Sequence, residues 1–197
     1  MINNSETESH MDGGGSSEGA DAVLVTARGT AAADGDPADR DSAAVIVVTY
    51  CFDAESWLDR WGTSQERAVA VSAGERSRSA AAVARSDSGT RSPDGPGGDP
   101  VQVEAGVVET VPSKSDVGAV GAAVHEYLDE WDDCELTVYV DSLGAIVDAT
   151  DSEVTFRLVH ALVARAQDAD ARVVAAVGEG IPPHVEATFA PLFDRVV

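Results

Sequence analysis

Asp141 and Ser142 close the apolar run Leu136 to Val140, LTVYV. A carboxylate beside a hydroxyl at the end of a strand has two chemical uses. The C-terminal ends of strands are where ligands bind in open α/β sheets, and a short acid there can also cap a turn by accepting backbone N–H groups. Both readings apply to this pair. Arg76, Arg78, Arg85 and Arg91 form the one basic concentration of the chain, beginning Glu75-Arg76-Ser77-Arg78-Ser79, and Arg28 follows the first apolar run. Guanidinium forks hold phosphates and carboxylates through paired donors. Arg28, Arg76 and Arg78 are therefore candidate contacts for an anionic ligand or an acidic partner, against the plainer account of solvated loops in local charge balance.

Other chemistry is excluded by type and spacing. A backbone cradle for nucleotide phosphates needs the pattern G-x-x-x-x-G-K-[ST], but the only lysine of the chain is Lys114, in Val111-Pro112-Ser113-Lys114-Ser115-Asp116, with no glycine before it. His125, His160 and His184 fall on separate segments without metal-ligand spacing. Cys51 and Cys134 make neither a disulfide framework nor a metal motif. In a parallel sheet they lie at opposite edges, about a strand length of ~17 to 20 Å apart, so both are expected as free thiols. No histidine is placed beside Cys51 to activate it, and it is expected as a small core residue. The acidic run Asp129 to Asp133 reads as a solvated face. No catalytic residue and no metal ligand emerge.

The elements that must position these residues follow from alternating short apolar runs and helical periodicity, the pattern of a parallel sheet covered on both faces. Strands are expected at Ala22 to Thr26, Ala44 to Thr49, Ala68 to Ser72, Gly106 to Glu109, Leu136 to Val140 and Arg172 to Val177, with a last one at Arg195 to Val197. Phe156, Val159, Leu162, Val163 and Ala166 recur at three-four spacing and predict a helix over Ser152 to Asp168. Another starts with Ser113 or Ser115 as its cap and buries Val117, Val120, Val124, Tyr127, Leu128 and Trp131. A short helix follows Asp53, and a last one follows Pro182-Pro183. The fold class is thus α/β, three layers around a mainly parallel sheet. Residues 1–19, rich in Ser, Asn, Glu and Gly, are expected to be a disordered acidic tail, within which Met11 is a candidate start. Residues 20–197 form one domain, interrupted at about 85–100 by a flexible Ser/Gly/Pro/Arg insertion.

Asp and Glu number 35 against 13 Lys and Arg, for a formal charge of −22. The acids are spread through every segment. Such a surface repels itself unless salt screens it, which points to a salt-loving cytoplasm. The same charge opposes broad binding to nucleic acid or anionic lipid. No apolar run approaches the ~20 residues that span a bilayer, and the expected location is cytoplasmic.

Three stretches carry a family resemblance. Val45 to Arg60 (VIVVTYCFDAESWLDR) is similar to the second core strand and following helix of the RecA-like ATPase superfamily, in its KaiC-like branch. Leu136 to Ala145 (LTVYVDSLGA) resembles the Walker B strand of that family, and Phe156 to Val177 the next helix and strand. The likeness spans about four-fifths of the chain and is nearest to uncharacterised haloarchaeal members without the phosphate-loop motif. It implies a RecA-like core in which Asp141 takes the magnesium-associated position, with Ser142 beside it. The departures are as informative. Where the family has a glycine-rich loop with a lysine, this chain reads Ala27-Arg28-Gly29-Thr30-Ala31, and where it has a water-activating glutamate, Tyr50-Cys51-Phe52-Asp53. Without the lysine, the charge developing on a transferred phosphoryl group goes unneutralised.

The resemblance with its departures implies a catalytically degenerate, non-hydrolysing domain, a regulatory or protein-binding subunit in a halophilic archaeon, with a protein partner, a RecA-like paralogue or its own copies. No cofactor is expected. One alternative is a nucleotide-responsive switch or weak ATPase using Asp141 with ATP and magnesium. Another is a DNA-associated recombinase-like accessory protein acting through the arginine segment.

Overall fold

The computed structural model describes residues 21–26, 42–61, 65–74, 100–178 and 181–197. The expectations for the tail at 1–19, for Arg28, for Arg76, Arg78, Arg85 and Arg91, and for the insertion up to residue 99 lie outside the described residues. The strands are β1 (Ala22–Val25), β2 (Ala44–Thr49), β3 (Arg67–Ala73), β4 (Val101–Val103), β5 (Gly106–Val111), β6 (Leu136–Val140), β7 (Arg172–Ala176) and β8 (Arg195–Val196). They form one sheet in the order β4-β5-β3-β2-β6-β7-β1-β8, parallel throughout except for the antiparallel pair β4 and β5.

Helices cover both faces, as the unbroken Val, Ile and Ala content of the strands demands. All six residues of β2 are buried, because successive side chains alternate between two covered faces. Ile46 and Val48 face one side with α2 (Val117–Glu130), α4 (Ser152–Asp168) and Phe189 of α5 (Pro183–Phe189). Val45 and Val47 face the other, where α1 (Ala54–Trp61) lays down Ala54, Trp57 and Leu58. Trp57 stacks on Tyr139 of β6 at 6.1 Å between ring centroids.

The predicted helix over Ser152 to Asp168 forms with those bounds, capped by Asp151, whose side chain accepts from the Val154 N–H. The cap of α2 is Asp116, which accepts from Ala119 N–H at 3.0 Å, and not Ser113 or Ser115. Those two hydroxyls bond each other at 2.9 Å, and the ionised acid is the stronger acceptor for a helix N-terminus. Two elements are additional to the sequence expectation. One is α3 (Leu143–Ala149), capped by Ser142 and too short to display a helical period. The other is β4, which turns back on β5 through Gly106, at φ +151°, where a Cβ would meet the Ala68 carbonyl at 2.5 Å. β5 also continues past Glu109 to Val111.

The topology creates one crevice. β2 leads into α1 on one face and on to β3, whereas its neighbour β6 leads into α3 and α4 toward the other face and on to β7. Adjacent strands whose connections part in this way leave a gap outside their C-terminal ends, the usual ligand position in such sheets.

Candidate functional site at the C-terminal edge of the sheet

The crevice between β2 and β6 is closed by the chain itself. Asp141 follows β6 directly, and its N–H donates to the Val48 carbonyl at 3.0 Å, so the ladder carries the residue to the sheet edge. Its side chain, 4% exposed, turns toward residues 50–52, which leave β2. A single oxygen, Oδ2, accepts from three successive backbone N–H groups, those of Tyr50 at 3.0 Å, Cys51 at 2.8 Å and Phe52 at 3.1 Å. Oδ1 shares the Tyr50 N–H, also at 3.0 Å. Consecutive amides converging on one anion form the concave backbone site called a nest.

Two further bonds fix the same turn. Thr49 Oγ1 donates to the Phe52 carbonyl at 2.6 Å. From the far side of β3, Lys114 reaches over the sheet edge and donates from Nζ to the Tyr50 carbonyl at 2.8 Å. Its stem crosses Gly74, at φ +118°, where an added Cβ would come within 2.9 Å of Lys114 Cε. Gly74 therefore serves both the backbone turn after β3 and the passage of the lysine. The turn holds its backbone and the Tyr50 ring inward and its next two side chains outward, with Cys51 exposed and Phe52 60% exposed.

Ser142 is committed to local structure. Its Oγ accepts from Ala145 N–H at 3.1 Å as the cap of α3, while the Gly144 N–H donates to the Val177 carbonyl at 3.0 Å and joins the β6 exit to the end of β7. Gly178, at φ +83°, lies so near that a Cβ there would sit 2.4 Å from Ser142 Oγ.

Ionisation at this edge follows from burial and from Asp141. Tyr50 is buried and its phenol is pushed up to about 12 by lost hydration, then by the charges of Asp141 and Asp116. Its hydroxyl has no hydrogen-bond partner among the described residues. Tyr139 rises to about 12 from burial and Asp141. The Cys51 thiol is raised by partial desolvation and by Asp141, opposed by Ser142 and Lys114. Cys51 is thus a neutral thiol facing solvent, not the core residue expected from sequence, because the turn rotates it away from the sheet.

Of the sequence candidates, Asp141 and Ser142 come together at this edge, and Arg28, Arg76 and Arg78 lie outside the described residues. Lys114, Thr49 and Gly74 were not singled out as site residues. For Lys114 a signal existed, since a lone lysine just after a parallel strand falls on the ligand-facing edge. Among the described residues no group of three His, Cys, Asp or Glu could hold a metal ion, and no helix is long and apolar enough to cross a membrane. Residues 16–197 match a family model described as a family of unknown function, DUF7504. No curated protein matches the chain.

Proposed function

From a chain that belongs to DUF7504, a family of unknown function, we propose a catalytically degenerate RecA/KaiC-like domain that does not hydrolyse nucleotide and works as a regulatory or protein-binding subunit. One observation carries the reading. The acid at the position the likeness assigns to magnesium has its Oδ2 spent on three backbone N–H groups. A divalent cation at that oxygen would have to displace all three donors, and magnesium demands near-ideal octahedral geometry besides. The described residues around Asp141 therefore do not fit a magnesium-nucleotide site. The mainly parallel eight-stranded sheet is compatible with a RecA-like core and supports the framework half of the proposal.

A second reading, a nucleotide-responsive switch, draws on Lys114. The single lysine of the chain lies at the sheet edge with its ammonium on a backbone carbonyl, and among the described residues that bond engages one of its three N–H donors, so the other two could meet a phosphate. Titration with ATP, with and without magnesium, in molar potassium chloride separates the two. The degenerate reading expects no saturable binding. Saturable binding that weakens in Asp141→Ala and in Lys114→Met defeats it in favour of the switch.

A further inference from the structure

We propose that the turn Tyr50-Cys51-Phe52 is an oxyanion-binding nest that the chain keeps filled with its own Asp141, and that a small carboxylate takes the nest when that side chain is removed. The proposal is independent of whether the protein hydrolyses nucleotide or binds a partner.

The geometry is that of a ligand in a site. Side chains that cap turns commonly satisfy one or two nearby donors in sequence. Asp141 is about 90 residues from the turn it serves, and Oδ2 alone collects three consecutive amides at 2.8 to 3.1 Å. An oxygen surrounded in this way stands where an external carboxylate or phosphate oxygen stands in an anion nest. The nest lies in the crevice between β2 and β6, outside the ends of the strands, where such sheets place their ligands. Its backbone is also held from elsewhere. Thr49 fixes the Phe52 carbonyl and Lys114 fixes the Tyr50 carbonyl, so the three N–H groups keep two independent supports when the carboxylate leaves. Their donors then face a space the size of a carboxyl group, and Lys114 lowers the cost of an anion there.

The ligand class follows from the shape left behind. Asp141→Ala deletes one carboxyl group, so the fitting occupant is formate, with acetate a poorer fit because of its methyl group. The wild-type nest accepts neither, since it is filled.

The test is the thermal midpoint of Asp141→Ala, Thr49→Val and wild type in molar potassium chloride, with chloride replaced stepwise by formate at constant ionic strength. Asp141→Ala is expected to melt below wild type and to recover at least half of its loss in formate, saturably, with a smaller recovery in acetate. Thr49→Val loosens the same turn with the nest still filled, so it is expected to lose stability and recover none of it. Absence of recovery in a folded Asp141→Ala overturns the proposal, as does equal recovery in all three proteins, which marks a general salt effect. Where Asp141→Ala folds only in formate, the proposal holds. Where it folds in neither salt, amide hydrogen exchange of wild type decides: protection of the Tyr50, Cys51 and Phe52 N–H groups comparable to β2 supports the nest, and exchange at free-loop rates sinks it.

Discussion

Asp141→Asn isolates what the negative charge contributes to holding the turn. The substitution keeps the shape and leaves one carbonyl oxygen that can still face the three N–H groups of Tyr50, Cys51 and Phe52. What disappears is charge assistance, together with the Oδ1 share of the Tyr50 N–H, which an amide nitrogen cannot accept. A hydrogen bond to an ionised acceptor is worth about 1.5 to 3 kcal/mol and a neutral one about 0.5 to 1.5, so each bond weakens by about 1 kcal/mol. The Tyr50 bond is buried and takes the full loss, whereas those of Cys51 and Phe52 are partly buried and water softens theirs. The expected cost is about 2 kcal/mol. For a domain of this size 1 kcal/mol moves the midpoint by about 2 to 4 °C, which gives a fall of about 4 to 8 °C.

One effect runs the other way. Removing a negative charge from a chain at −22 relieves self-repulsion and raises stability in dilute salt. Asp132→Asn makes the same charge change at an exposed position and serves as the control, and molar potassium chloride shrinks the repulsion in both variants. Urea denaturation at constant salt measures the difference without altering ionic strength. A midpoint for Asp141→Asn equal to that of Asp132→Asn, or a difference below about 0.5 kcal/mol, would show that the negative charge adds nothing to the three contacts and refute the reasoning.

Stability should also depend strongly on salt and on high pH. Transfer from molar potassium chloride to dilute buffer is expected to lower the melting temperature substantially, and an unchanged melt would contradict the halophilic reading of the charge. Tyr50 and Tyr139 have phenols raised from 10.0 to about 12 in the folded protein. Folding therefore favours their protonated forms, and the stability this contributes is complete below pH 10 and is lost as pH rises toward about 12. Tyrosinate absorbance of the wild type, read against Tyr50→Phe and Tyr139→Phe variants, should accordingly show both of these phenols appearing only with unfolding; either one ionising well ahead of it would contradict the burial argument.

The framework was legible because it rests on repeated local signals. Apolar runs of the β2 and β6 type could be read as doubly covered strands, and α4 announced itself through Phe156, Val159, Leu162, Val163 and Ala166. Elements lacking a repeat were not legible: α3 has seven residues and β4 has three, fewer than a periodic pattern requires. The site was legible by halves. The end of β6 marked Asp141 as an edge residue, but whether it faced a ligand or a turn depended on the path of residues 50–52, which no local pattern encodes. The same path decides the exposure of Cys51. Lys114 was visible as the only lysine, yet its landing on Tyr50 depends on the strand order that sets β5, β3 and β2 side by side.

Tyr50 is the point at which these long-range choices meet. Its N–H is taken by Asp141 from β6 and its carbonyl by Lys114 from beyond β5, so one residue receives both the negative and the positive side chain that an anionic ligand and its counterion would otherwise engage. Each charged group is thereby neutralised by backbone dipoles instead of by the other charge. The two side chains thus act as braces on one turn, and weakening either should loosen Cys51 and Phe52 together. Under the proposed function, what the described residues offer a partner at this edge is a short braced turn presenting a thiol and an aromatic ring. Such rigidity favours recognition, because a surface already fixed in its bound shape loses little entropy on binding. A sheet edge arranged in this way keeps the stiffness of a ligand site while the Asp141 carboxylate and the amides of the turn satisfy each other, as the proposed binding role requires.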